Sequence, residues 1–155
     1  AFAHLPPPLS GDPELALKID AIVAYILDDR YQLLRPGYGL MLVPPNRYYS
    51  MGWSVRLSGW FEDRPLDVGS LLWCVDLMAP FAVARQSEWF QRMLRHLKAQ
   101  GSGGIFEFPS AYLKEAHRSY YVGGGHMGLG EDRKQRNWRA IESTAWMLRI
   151  LQNCP

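Results

Sequence analysis

The sequence predicts an all-α fold built from layered helical hairpins. Segments of about 12 to 20 residues carry apolar side chains at helical spacing or almost continuously, and long loops rich in glycine, proline and aromatic residues join them. The 155 residues are 48% hydrophobic and 21% charged, which is typical of a globular protein with a sizeable core. We therefore expect one helical domain over residues 1–155, in which residues 1–12 form an extended N-terminal lead.

The first helix is predicted to begin at Asp12 and Pro13, because aspartate caps helices and proline fits their first turn. Its apolar residues recur at i, i+4, i+7 and i+11, and they are Leu15, Ile19, Ile22 and Ile26, flanked by Val23 and Leu27. This spacing indicates an amphipathic helix that packs on one side. Residues 34–65 contain repeated proline and glycine, so we expect a long loop there.

The next helical segment, residues 66–84, is apolar almost all round and should lie in an inner layer, with Pro80 ending or kinking it. A third helix should follow, capped by Ser87. Its apolar stripe consists of Trp89, Phe90, Met93, Leu94 and Leu97. Glycines at 101–104 should stop this helix, residues 105–109 should be extended, and Ser110 should open a brief helix through residues 114–115.

The last helix is expected over about residues 131–151. Glu131 and Asp132 at its start and Arg149 near its end would match the helix dipole. Its polar arc is narrow and holds Arg139, Glu142, Ser143 and Arg149. We therefore expect this helix to be largely enclosed, with that arc facing solvent.

Two stretches share a helix–turn pattern. Residues 94–106 read Leu-Arg-His-Leu-Lys-Ala-Gln-Gly-Ser-Gly-Gly-Ile-Phe, and the apolar run at 22–27 is followed by Pro-Gly-Tyr-Gly at 36–39. Both resemble the repeat of the prenyltransferase and squalene-cyclase class, and residues 142–148 are similar to its returning helix. The resemblance implies an α/α toroid whose central cavity holds an isoprenoid or another large substrate. A chain of this length would form an incomplete ring, so a partner or a missing segment would cover its exposed inner face.

The chain departs from the chemistry of that class. Asp28 and Asp29 lack the third carboxylate of the cyclase acid motif, and the order of Cys74, Asp76 and His126 does not match the zinc site of protein prenyltransferases. We therefore expect no metal and no other cofactor.

Three residues are candidates for acid–base chemistry: Asp76, His126 and Glu142. Asp76 is the sole charge within residues 71–84, so its carboxylate needs a cation such as Arg85 or Arg47, unless it is a catalytic acid or the helix places it in solvent. His126 is either a polar loop residue or a proton-transfer group. It lies in the glycine-rich residues 123–130, which can form a tight crossing, a substrate lid or an anion site.

Aromatic residues and one arginine cluster in the loops, and the candidate ligand-binding residues are Tyr38, Arg47, Tyr48, Tyr49, Trp53, Tyr120 and Tyr121. Such loops can line a pocket, pack on the helical layer or stack on bases. Residues 133–139 hold a basic patch, which can contact phosphates or form a solvated face paired with its acidic neighbours.

Three functions remain open. The first is a domain whose apolar, aromatic-lined cavity binds a small, lipid-like or isoprenoid-like substrate. The second is a noncatalytic protein-interaction module, and the third is an arginine-rich nucleic-acid-binding domain. The balance of 17 basic against 15 acidic residues disfavours nucleic acid as the partner. Since no catalytic set has diagnostic spacing, whether the chain is an enzyme stays open.

Location is indicated by the apolar runs and the cysteines. No apolar run is long enough to span a membrane, and two cysteines without a framework favour the reducing cytoplasm. The sequence starts without methionine or a signal peptide, so we expect a trimmed chain or a fragment.

Overall fold

The computed structural model describes residues 12–34, 39–51, 55–113 and 135–154. This part of the chain is largely helical, which confirms the coarse fold class. The chain divides into two compact units, residues 1–57 and residues 58–155. The single domain expected from the sequence stays a prediction.

The first unit opens with helix α1 (Pro13–Ile26), and its predicted start is confirmed. The carboxylate of Asp12 accepts hydrogen bonds from the backbone N–H groups of Glu14 and Leu15, at 2.9 and 3.3 Å. Pro13 occupies the first turn, where its missing N–H has no partner to lose. The start of α1 is thus determined by residues adjacent in sequence.

Burial on α1 differs from the predicted stripe. Val23 is the buried residue of this helix, Ile19 and Ile26 are half-buried, and Ile22 is exposed. The inward face is therefore centred on the side of Ile19, Val23 and Ile26, at i, i+4 and i+7, and Ile22 falls outside it.

Helix α2 (Asp29–Gln32) follows, and its side chains form hydrogen bonds with the backbone at the end of the first unit. The Gln32 side chain donates to the backbone carbonyls of Ile26 and Val55, and its Oε1 accepts from the N–H of Leu57 at 2.9 Å. The hydroxyl of Tyr31 accepts from the N–H of Val55 at 2.9 Å. Two neighbouring side chains thus satisfy backbone groups more than twenty residues away.

A β-hairpin lies where a loop was expected. Strands β1 (Gly39–Val43) and β2 (Arg47–Met51) pair antiparallel, with Val43 opposite Arg47. The prediction of a loop throughout residues 34–65 is therefore wrong at these strands, and the fold is not strictly all-α. Prolines break a helix but favour a turn, and residues 44–46 form the turn of this hairpin.

The second unit contains helices α3 (Val68–Met78), α4 (Ala82–Gln86) and α5 (Glu88–Lys98). The predicted segment 66–84 is thus divided into α3 and α4, and the break falls at Pro80, as expected. The carboxylate of Asp67 accepts from the N–H of Gly69 at the start of α3. Ser87 Oγ accepts from the N–H of Phe90 at 3.2 Å, which confirms the predicted cap of α5.

The core of the second unit lies where α3 contacts both α5 and the last helix, α6 (Trp138–Leu151). All three helices contribute side chains without solvent exposure, among them Leu71, Val75, Phe90, Leu97, Met147 and Ile150. The whole predicted stripe of α5 is buried. The expectation that this segment is buried among other helices is therefore confirmed at α3, and the inner layer stays a prediction.

A short hairpin of β3 (Gly101–Ser102) and β4 (Ile105–Phe106) follows α5. Gly104 in its turn has a φ of +81°, which glycine adopts without strain. A Cβ at Gly101 would overlap the ring of Phe106. The predicted extended segment is confirmed at β4. The predicted helix start at Ser110 is wrong, because residues 110–113 form turns, and the remainder of that predicted helix, residues 114–115, lies outside the described part of the chain.

Helix α6 begins later than expected. It starts at Trp138, residues 135–137 form a turn, and residues 131–134 lie outside the described part of the chain. Arg149 lies in its last turn, as predicted, where a cation interacts favourably with the helix dipole.

Candidate functional site

Asp76, a predicted catalytic candidate, lies at the contact between α3 and α6. Its side chain is 15% exposed, and its Oδ2 accepts a hydrogen bond from Nη2 of Arg149 at 2.6 Å. A buried ion pair was one expected interpretation of this residue, but the expected cation was not Arg149. Arg85 instead donates to the carbonyl of Ala79, and the side chain of Arg47 lies outside the described residues.

Arg149 is held from two sides. Asp76 bonds one of its terminal nitrogens, and the guanidinium carbon lies 5.2 Å from the centre of the Trp146 ring. The side chain is nevertheless 43% exposed. The ion pair therefore connects the core helix α3 to the surface of α6 and leaves part of the guanidinium facing water.

The inward face of α6 is polar near its middle. Glu142, another catalytic candidate, is 3% exposed, and Ser143 has no solvent exposure. The prediction that these residues form a solvated arc is wrong.

Two hydroxyls of α6 accept hydrogen bonds from β4 and from the chain just after it. Ser143 Oγ accepts from the N–H of Phe108 at 2.9 Å, and Thr144 Oγ1 accepts from the N–H of Phe106 at 3.0 Å. These hydroxyls take the place that a neighbouring strand would occupy. Between the two phenylalanines, Glu107 forms a 2.8 Å ion pair with Arg139.

The outward face of α6 is apolar. Ile141 is 38% exposed and Leu148 is 63% exposed, and Ala145 lies between them at i+4. We call Ile141, Ala145 and Leu148 the α6 stripe. Within residues 135–154 every charged side chain outside the core is an arginine: Arg136, Arg139 and Arg149.

A histidine–tyrosine pair that sequence reasoning missed lies at the end of an aromatic stack. His96 Nε2 and the Tyr112 hydroxyl share a hydrogen bond of 2.8 Å, and their rings are stacked at 6.2 Å. Tyr112 stacks in turn on the buried Phe108 at 5.4 Å. Burial raises the pKa of Tyr112, so its hydroxyl stays protonated at neutral pH. No motif marks this pair, because the turn at 110–113 is what brings Tyr112 to α5.

Cys74 is fully buried in α3. Burial raises the pKa of its thiol to about 11, while hydrogen bonds from Ser58 and Ser70 act in the opposite direction. The thiol is therefore protonated at neutral pH, and a protonated thiol is neither a nucleophile nor a metal ligand. In the described ranges, no group of three or more His, Cys, Asp or Glu side chains is placed to hold a metal.

Several predicted site residues cannot be assigned a position in the fold. Outside the described residues lie Tyr38, Trp53, Tyr120, Tyr121, His126, Arg133 and Lys134, together with the side chains of Arg47, Tyr48 and Tyr49. The aromatic pocket and the glycine-rich loop therefore stay predictions. Of the candidate residues, Asp76 lies at the contact between α3 and α6, and Glu142 is buried on α6.

No family model, curated protein or solved structure matches the chain. The resemblance to the prenyltransferase and squalene-cyclase repeat therefore stays a prediction. Among the described helices, none is both long and apolar enough to cross a membrane. The cytoplasmic location also stays a prediction.

Proposed function

We propose that this chain is a noncatalytic interaction module that binds an amphipathic helix of a partner protein along α6. The observation that carries this proposal is the α6 stripe, where Ile141 and Leu148 face water on a helix whose Glu142 and Ser143 face the core. Covering an exposed apolar stripe with a partner lowers the free energy, since burying each leucine side chain contributes about 1.5–3 kcal/mol.

The spacing of the stripe fits a helix better than another partner shape. Residues at i, i+4 and i+7 form the ridge that packs into the groove of a second helix. Ala145 is the middle residue, and a small side chain there allows a close approach between two helix backbones. Ile141 and Leu148 would then bracket the contact.

The arginines near the stripe do not determine the charge of the partner. Arg139 pairs with Glu107 and Arg149 pairs with Asp76, so two of the three exposed charges of residues 135–154 are already neutralised. The proposal therefore specifies the partner helix by its apolar stripe.

The proposal agrees with the layered hairpins of the α/α-toroid class, which we retain as the finer fold proposal. In support, α3 contacts both α5 and α6, as expected for a helix that packs between neighbours. In an incomplete ring the next helix comes from elsewhere. A partner helix along α6 would supply that neighbour.

The test is a displayed library of helical peptides with apolar residues at i, i+4 and i+7, selected against the full chain. We expect the selected peptides to bind Leu148→Gln about tenfold more weakly than the wild type. Leu17→Gln is the matched control, because Leu17 is an exposed leucine on α1, and it should bind like the wild type. Selected peptides that bind Leu148→Gln and the wild type equally would refute the proposal.

A second candidate function is favoured by the His96–Tyr112 pair. Both rings are half-buried and carry polar atoms, which suits contact with a small ligand that has both an apolar and a polar part. Native mass spectrometry of the purified chain tests it. A ligand retained by the wild type and lost in Tyr112→Phe would support this candidate, and an empty wild-type chain would count against it.

A further inference from the structure

We propose that residues 59–66 form a lid over Met93 of α5, which opens while the rest of the second unit stays folded, and that Arg92 is its latch. This inference is independent of the proposed function, because its contacts involve α5 and α3 and not the outward face of α6. The two ends of the lid are held together, since Ser58 Oγ donates to the carbonyl of Asp67 at 2.7 Å. Compact surface loops whose ends lie close are frequently functional.

Both ends of the lid are anchored to helices. Nε1 of Trp89 in α5 donates to the carbonyl of Ser58 at 2.8 Å. At the other end, the Asp67 carboxylate accepts from the N–H of Gly69 and caps α3. Gly59 follows the first anchor with a φ of +70°, which glycine adopts without strain. A hinge at Gly59 therefore leaves both anchors in place when the lid moves.

The lid covers a methionine of the core. Met93 is 6% exposed, and a Cβ added at Gly59 would lie 2.6 Å from its Sδ, so the backbone of the lid passes directly over this sulfur. The lid itself contributes no fully buried side chain, and its residues 62–65 are exposed. Opening would therefore expose Met93 at the cost of few buried contacts, which is the property of segments that open locally.

Arg92 holds the lid by hydrogen bonds at three positions. Its Nη2 donates to the carbonyl of Gly59 at 2.5 Å and to that of Trp60 at 3.2 Å. Its Nη1 forms a 2.7 Å ion pair with Glu62, whose side chain is 74% exposed. An ion pair this exposed contributes little, so the two backbone carbonyls are the stronger part of the latch.

The lid is packed internally and should move as a unit. The guanidinium carbon of Arg64 lies 4.1 Å from the centre of the Phe61 ring, and the N–H of Arg64 donates to the carbonyl of Phe61 at 3.4 Å. A Cβ at Gly59 would lie 2.9 Å from Cδ1 of Leu66, so the first and last residues of the lid are also in contact. These contacts survive opening, whereas the hydrogen bonds from Arg92 must break.

The test is oxidation of the full chain by hydrogen peroxide, which transfers an oxygen atom to an accessible methionine sulfur. Digestion followed by mass spectrometry gives the rate for each methionine. Met78 and Met147 are internal controls, because they are 2% and 0% exposed in the same unit. In the wild type we expect Met93 to react faster than both and with a weaker dependence on urea, since local opening exposes little surface.

Variants assign the opening to Arg92. Arg92→Ala removes the latch and should raise the Met93 rate about tenfold without changing the rates of the two control methionines. Glu62→Gln removes only the exposed ion pair and should raise the Met93 rate by about twofold at most. Arg95→Gln is the matched control, because Arg95 is an exposed arginine of the same helix, and it should behave like the wild type.

Three outcomes would overturn the proposal. Equal acceleration of all three methionines in Arg92→Ala would mean that Arg92 stabilises the whole unit and latches no lid. A Met93 rate unchanged in Arg92→Ala would remove its role as the latch. A urea dependence of Met93 in the wild type as steep as that of Met147 would mean that only global unfolding exposes it. If the alanine variant does not fold, Arg92→Lys gives the same comparison, because lysine keeps the charge but lacks the fork of donors.

Discussion

Ser143→Ala tests the hydrogen bond that holds the polar face of α6 towards the core. Ser143 and Phe108 are both fully buried, and the Ser143 hydroxyl accepts from the Phe108 N–H at 2.9 Å. Alanine removes the acceptor and leaves the N–H without this partner in the core, which costs about 1–3 kcal/mol. For a unit of this size, each kcal/mol lowers Tm by about 4–8 °C.

The assay is urea denaturation of the full chain followed by circular dichroism, with a thermal melt in parallel. Ser102→Ala is the matched control, because Ser102 is an exposed serine of the hairpin formed by β3 and β4. It should change the free energy of unfolding by less than about 0.5 kcal/mol. If Ser143→Ala is as stable as this control, the hydrogen bond to Phe108 does not hold α6 in place.

Three further predictions concern single residues. Gly101→Ala should lower the Tm of the second unit in the same melt, because the added Cβ would overlap the Phe106 ring. Gly103→Ala is the control: its Cβ would meet no neighbouring atom, so any loss of stability there measures the strain of alanine at a positive φ. Hydrogen bonds from Arg30 lower the pKa of Asp28 from 3.8 to about 2, so the stabilising effect of this carboxylate is complete above about pH 4 and lost towards pH 2. Asp28→Asn should therefore flatten the plot of unfolding free energy against pH between about pH 4 and pH 2. A plot with the same slope as the wild type would contradict the stabilising role of Asp28. Cys74 should resist iodoacetamide in the native chain and react once urea unfolds the chain, since burial raises the pKa of its thiol to about 11. Proteolytic digestion followed by mass spectrometry measures the modification, and alkylation of Cys74 in the native chain would contradict its burial.

Local signals in the sequence were sufficient to predict several helix ends. Asp12, Ser87 and Pro80 act on backbone groups within a few residues, so their effect does not depend on the rest of the fold. The buried stripe of α5 was also predictable, because its apolar and charged residues separate cleanly at a period of 3.6.

Long-range contacts account for what the sequence did not predict. Asp76 was expected to need a cation, but its partner Arg149 lies 73 residues away and no local pattern indicates it. Proline-rich residues 44–46 were read as loop, although the same residue types also form the turn of the hairpin between β1 and β2. The His96–Tyr112 pair likewise requires the turn after Pro109.

The orientation of α6 shows why hydropathy alone assigned its faces wrongly. On hydropathy alone, Glu142 and Ser143 are expected to face solvent. The backbone N–H groups of Phe106 and Phe108, however, need acceptors, and the hydroxyls of Thr144 and Ser143 provide them. Once these side chains face the core, Ile141 and Leu148 are turned to the surface. Stability and binding should therefore separate on this one helix: substitutions at Ser143 should lower the free energy of unfolding, whereas substitutions at Leu148 should weaken partner binding and leave the fold intact.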